Sequence, residues 1–141
     1  MLLKQLSVFL ENKSGRLAEA LSTLGNEKIN IKALTIADTA EFGIVRMIVS
    51  DPERGYNILR EKGFSVNIVE VISIATPSES GSFAMALKIL SDEDISIEYI
   101  YAFSVGEKAA IVMRTEDTEK ALAAISRNNL DLLGENEMNN L

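Results

Sequence analysis

The sequence predicts an α+β protein in which one βαββαβ unit is used twice. Three observations carry that prediction. The chain matches itself at a fixed shift of 66 positions; its apolar residues switch between strand and helix periodicity in a constant order; and helix-starting and helix-stopping residues stand at the junctions. Under the shift the two halves align without a gap from residue 3 to about residue 67. Identities include Ser7/Ser73, Gly15/Gly81, Ala20/Ala86, Leu24/Leu90, Ile29/Ile95, Met47/Met113 and Asp51/Asp117. Six elements held in register imply duplication.

The elements follow in order. In Gln5–Leu10 the residues Leu6, Val8 and Leu10 alternate onto one face, as in a strand. Ser14 reads as an N-cap, and Leu17, Ala18, Leu21 and Leu24 then recur at helical spacing as far as Lys28. Asn30–Ala37, rich in Ile, Ala and Thr, is a second strand. Ala40–Gly43 is a turn, and Ile44–Ser50 a third strand, apolar on both faces. Asp51-Pro52-Glu53 starts a helix through an N-cap Asp, Pro at the first helical position and an acid at the positive helix end. Gly63 stops it, and Ser65–Glu70 is the fourth strand. The second copy repeats the series as Val71–Thr76, a helix from about Ser80 to Asp92, Ile95–Ser104, Lys108–Thr115, a helix from Asp117 to Arg127, and a weak strand near Leu130–Leu133. Gly134–Leu141 is polar, and its end is expected to fray.

Helices of about a dozen residues between strands fit a sheet covered by helices on one face, and split βαβ units in this order give the ferredoxin-like sandwich. Two such sandwiches are expected, residues 1–69 and 70–141. No Gly/Ser/Pro linker separates them, because residues 66–75 run straight from one copy into the next. Domains this small bury a low fraction of their surface, so the two sheets are expected to pack together or join side by side.

Composition narrows the chemistry. The 141 residues include neither Cys nor His, which removes disulfide scaffolds, thiolate zinc sites, cysteine nucleophiles and imidazole acid–base catalysis. A net charge of −7 opposes the basic face that nucleic-acid binding needs. The N-terminus has no signal-peptide pattern, and no apolar run approaches the roughly 20 residues of a membrane helix. A soluble cytoplasmic protein is expected. Asp92-Glu93-Asp94 and Glu116-Asp117-Glu119 read as solvated helix caps rather than metal ligands, and no cofactor or metal is expected. Met47, Met85 and Met113 read as core fillers. Tyr99, Tyr101 and Phe103 share one strand face and read as packing residues.

The segment with most functional content is Glu11-Asn12-Lys13-Ser14-Gly15-Arg16-Leu17. Backbone N–H groups at a helix start are unpaired and partly positive, so they favour a carboxylate. Gly15 lets a ligand approach the backbone, and Asn12 offers an amide with donors and acceptors. This string, with Leu24 and Ile29-Asn30-Ile31 after it, resembles the ACT domain, a small-molecule-binding regulatory module of amino-acid metabolism. In the second copy, Ile95-Ser96-Ile97-Glu98-Tyr99-Ile100-Tyr101-Ala102-Phe103 is similar to the second-strand segment of stand-alone tandem ACT proteins.

The resemblance implies a non-catalytic sensor of a free amino acid or similar small carboxylate, bound at an interface between paired ACT domains, with a homodimer as the expected assembly. By position, Asn12 and Asn30 match ligand-contacting Asn residues of serine-sensing members, and Gly15 matches the glycine associated with ligand response. Ser14 stands where Pro is usual. Ser78 replaces Asn12 in the second copy, Ser96 replaces Asn30, and Ser80 precedes Gly81. The expected site has the ligand carboxylate on the amides of Ser14, Gly15, Arg16 and Leu17, beside Lys13. The ammonium would lie on the Asn12 side chain and on strand-end carbonyls near Ile36, Ala37 and Asp38. Ser78, Ser80 and Gly81 would form a weaker counterpart. The sequence contains no effector domain, so a separate enzyme or regulator is the expected partner. A purely structural dimerisation module is the main alternative. A small hydrolase built on Arg16 and Asn12 is disfavoured, because nothing forms a nucleophile–base pair.

Overall fold

The computed structural model of the chain describes residues 2–11, 13–38 and 41–141. The chain divides into two compact units, Lys4–Val69 and Glu70–Leu141, the second joined by Leu2 and Leu3. The predicted turn residue Ala40 lies outside the described residues.

The first unit contains β1 (Leu3–Glu11), α1 (Arg16–Asn26), β2 (Ile31–Asp38), β3 (Phe42–Val49), α2 (Pro52–Glu61) and the first part of β4 (Ser65–Pro77). Its sheet has the order β2-β3-β1-β4, the arrangement of the ferredoxin-like sandwich. β3 is the antiparallel partner of both β1 and β2, with Val8 opposite Val45 and Ile36 opposite Val45. Alternation then decides the faces. Leu6, Val8 and Leu10 of β1 and Val45, Met47 and Val49 of β3 meet Ala20 and Leu24 of α1 and Leu59 of α2 in one buried cluster.

The second unit repeats this with the rest of β4, α3 (Ser82–Asp92), β5 (Ile97–Val105), β6 (Lys108–Thr115), α4 (Thr118–Arg127) and β7 (Asp131–Leu132), in the order β5-β6-β4-β7. Its core is the shifted copy of the first: Ile72, Ile74, Ala86, Leu90, Ile111, Met113 and Ile125, with Leu2 packed against it. Two positions depart. Thr76 and Thr115 stand where the first copy has Leu10 and Val49. Their buried hydroxyls have no hydrogen-bond partner among the described residues.

Several expectations change. The predicted strands Ser65–Glu70 and Val71–Thr76 are one strand of 13 residues. Asp51 and Asp117 do cap α2 and α4, accepting from the backbone N–H groups of Arg54 at 3.2 Å and Lys120 at 3.1 Å. Ser14 and the expected start at Ser80 are corrected: the N-caps of α1 and α3 are Gly15 and Gly81, with no side-chain cap. A left-handed glycine sets that turn, and the serine one residue earlier falls outside the cap position. The polar tail, for which the sequence predicts no element, carries α5 (Glu135–Asn139). The Glu137 carboxylate accepts the Gly134 N–H at 2.9 Å, and Met138 is buried. Met47 and Met113 fill the cores, but Met85 is 68% exposed on the outer face of α3.

Candidate functional site

Both copies open their first helix through the same turn. Gly15 has φ 86° and ψ −12°, and Gly81 has φ 85° and ψ −8°. The Arg16 N–H donates to the Lys13 carbonyl at 3.3 Å, and the Ser82 N–H to the Glu79 carbonyl at 3.1 Å. The carbonyls of Gly15 and Gly81 each accept the first helical bond at 2.9 Å, from Glu19 and Met85. A Cβ on either glycine would meet nothing within 4 Å. Glycine is therefore required by the positive φ rather than by crowding, and the space above it is open. With no capping side chain among the described residues, the first-turn N–H groups of Leu17 and Ala18 face outward, as helix geometry leaves them.

Beside this turn the first copy has a cavity of about 130 Å³, walled by Glu11, Lys13, Leu17, Ile36 and Gly43 over a floor of Leu10 and Val45. Register explains the gathering. Glu11 lies opposite Phe42 on β3, and Ile36 lies opposite Val45, so the end of β1, the start of β3 and the end of β2 share one end of the sheet. The Lys13 ammonium sits 2.8 Å from the Glu11 carboxylate. Its hydrogen bond and charge hold that carboxyl below its ordinary value. Ile36 is 41% exposed and Leu34 42%, both on β2, the outermost strand of this sheet.

Other expected residues fall elsewhere. Arg16 lines a separate cavity of about 290 Å³ with Phe9, Phe42, Gly63 and Ser65, adjoining Leu10 and Glu11. Its guanidinium lies 4.3 Å over the Phe64 ring and 3.1 Å from the Glu19 carboxylate. Ser14 and Ala37 are exposed near the turn but do not line the 130 Å³ cavity. Asn30 lies at the opposite end of β2. It exchanges bonds with Ser50: its N–H donates to Oγ at 2.9 Å and its carbonyl accepts the Ser50 N–H at 2.8 Å. Eight steps of about 3.3 Å each separate it from Asp38. Asn12 lies outside the described residues, as does the Asp38 side chain.

In the second copy the Ser78 N–H donates to the Glu107 carbonyl at 2.8 Å, and Ser78, Ser80 and Gly81 are all exposed. None of the three lines the cavity of about 290 Å³ formed there by Ala75, Thr76, Pro77, Glu79, Ser82, Met85 and Ile89 with Asn129–Asp131 and Ala86. That cavity is the shifted counterpart of the Arg16 cavity, since Ala75, Thr76, Pro77 and Ser82 stand for Phe9, Leu10, Glu11 and Arg16. Of the acidic side chains near α4, Asp117 caps the helix, while the Lys120 ammonium donates to the backbone carbonyl of Asp94 at 3.0 Å. Among the described residues no group of three or more acidic side chains gathers as a metal site. Sequence reasoning placed Glu11 in the loop without giving it a role, and it missed Phe42 and Gly43. Their signal was position, at the strand ends that flank the glycine turn.

A family model described as an ACT domain pair matches residues 1–141. Protein BT0572 from Bacteroides thetaiotaomicron is 43% identical, with a TM-score of 0.94 over 100% of this chain and 98% of that one. The regulatory subunit of aspartate kinase from Thermus thermophilus, in a ligand-free form, is 15% identical, with a TM-score of 0.62 over 88% and 91%. That second likeness is one of fold. No curated protein matches the chain in sequence. With both units accounted for by a single family model, the chain belongs to the ACT domain pair family.

Proposed function

We propose that this ACT domain pair is a non-catalytic regulatory protein that binds a free amino acid, or a similar small carboxylate, beside the Lys13–Leu17 turn. The observation that carries the reading is the cavity walled by Lys13, Leu17, Ile36 and Gly43 against an uncapped helix start. An anion there meets outward N–H groups, the positive end of α1 and the Lys13 ammonium, which it shares with the Glu11 carboxylate on the same wall; among the described residues no side-chain acceptor competes at the cap. The apolar wall of Leu17 and Ile36 suits the carbon side of the same ligand.

At about 130 Å³ this cavity is smaller than the roughly 300 Å³ at which ligand pockets begin, so one chain supplies only part of the enclosure. β2 runs along the rim as the outermost strand, with Leu34 and Ile36 exposed on it. An open strand edge is a template for pairing with another chain. A homodimer joined along β2 would close the cavity and bury both residues. The Thermus regulatory subunit shares this fold, which favours a role in controlling a separate enzyme or regulator. Among the described residues no helix is long and apolar enough to cross a membrane, and the reading places the protein in the cytoplasm with its amino-acid ligand.

Melting curves against each common amino acid test this, with sedimentation run on the same samples. One amino acid should raise the melting temperature, since a ligand at a hundredfold excess over its Kd adds about 2.7 kcal/mol of stability. A flat response to all of them, with a stable dimer in every sample, would leave a structural dimerisation module in its place.

A further inference from the structure

We infer that the Arg16 cavity of the first unit is a second ligand site, adjoining the Lys13 cavity at Leu10 and Glu11, and that it takes a monocarboxylate with a flat apolar body. Phe9 is 49% exposed and Phe42 is 48% exposed, and both line this one cavity of about 290 Å³ together with Arg16. Leaving two phenyl rings half in water forgoes burial that the fold could otherwise use.

The second copy shows that the scaffold does not require these residues. At the shifted positions it has Ala75, Ser82 and Lys108, yet it builds the same glycine turn, the same helix start and a cavity of the same volume. What the first copy adds at this place is therefore chemistry rather than support: two aromatic faces and one guanidinium.

Arg16 is set for that task. Stacking over the buried Phe64 ring and a single bond to Glu19 fix the plane of the guanidinium, and its remaining N–H groups can meet a carboxylate in a two-pronged bond. Phe9 and Phe42 would take the apolar body. Glu11, also on the wall, is engaged by Lys13 and repels a doubly charged anion, which favours a single carboxylate. The volume lies at the small end of the range for ligand pockets, the size for one ring and its acid group.

Phenylacetate is the probe, with phenethylamine as the same ring carrying the opposite charge. Titration followed by amide NMR should saturate, moving Phe42, Gly63 and Ser65 while leaving Asn129 and Asp131 of the second copy still. Arg16→Ser introduces the residue that the other copy carries at the same place. It should keep the fold and weaken binding by roughly tenfold, the loss expected for one charge-assisted pair. Arg16→Lys should recover only part, because a point charge lacks the fork. Absence of saturable binding by the natural protein would overturn the proposal. So would equal affinity in Arg16→Ser, or equal binding of phenethylamine. A Phe42→Lys variant that turns a dimer into a monomer, with phenylacetate inert, would assign the two rings to contact with a second copy and overturn it too. The two cavities share Leu10 and Glu11, but Gly63 and Ser65 line only this one and Leu17 and Ile36 only the Lys13 cavity, so their amides tell the two sites apart.

Discussion

Lys13–Leu17 and Glu79–Phe83 fold the same turn from different side chains. Gly15 and Gly81 have matching dihedral angles, and the bonds on either side of them agree to within a few tenths of an ångström. Glu11, Lys13 and Arg16 of the first copy are Pro77, Glu79 and Ser82 in the second. The difference separates what the scaffold needs from what it carries. Glycine in the left-handed region and an aliphatic face on the helix are needed twice. A lysine and an arginine at the helix start occur once, and there each faces its own cavity.

The cores give the first way to break this comparison. Leu24 and Leu90 are both fully buried at equivalent places, so Leu24→Ala and Leu90→Ala should each cost about 2–5 kcal/mol in urea unfolding. Costs differing by more than that spread would show that the copies share a fold without sharing a scaffold.

Next comes a buried threonine. Thr115 is buried with an unpartnered hydroxyl where the first copy has Val49. Thr115→Val should raise stability by about 1–3 kcal/mol, and Val49→Thr should lower it by a similar amount. The same midpoint shift checks both.

A smaller effect is expected at the turns. Gly15→Ala and Gly81→Ala each place a Cβ in open space but force it into a left-handed conformation, at a cost of about 1 kcal/mol. Equal losses by thermal melting sharpen the claim that the two turns are one device; unequal losses break it.

The smallest concerns pH. Lys13 holds the Glu11 carboxyl below its ordinary value in the folded chain, whereas Pro77 and Glu79 form no such pair. A depressed carboxyl contributes stability above its unfolded value and loses it as pH falls through the folded one. Both groups are exposed, so the contribution is slight. The stability difference between the natural protein and Lys13→Ala should therefore shrink to nothing on acidification.

Much of the fold could be read in advance because its signals are local. Asp51-Pro52 and Asp117 place a carboxylate where a helix start needs an acceptor, and in Lys108–Thr115 the unbroken apolar run Ala109–Met113 between charged residues gives its own bounds. Ser14 misled because a serine before glycine resembles a cap, while the positive φ of Gly15 moves the cap one residue on. Met85 misled when taken alone. The repeat pairs it with Glu19, a surface residue, so duplication already held the correction. The helix at Glu135–Asn139 was hidden because one residue, Met138, anchors an otherwise polar stretch. At the site, the sequence marked the turn but not its two sides. Lys13 and Arg16 are three residues apart, and only the left-handed turn between them sends one toward β2 and the other toward Phe64.

Amide NMR of the uniformly labelled protein, titrated with the amino acid that raises its melting temperature, tests the central claim most directly. The account predicts that Gly15, Leu17 and Ile36 shift together to saturation with one common affinity, while Gly81 and Phe83 stay in place. Equal shifts at Gly81 and Phe83, or saturation that leaves Gly15 and Leu17 unmoved, would contradict it.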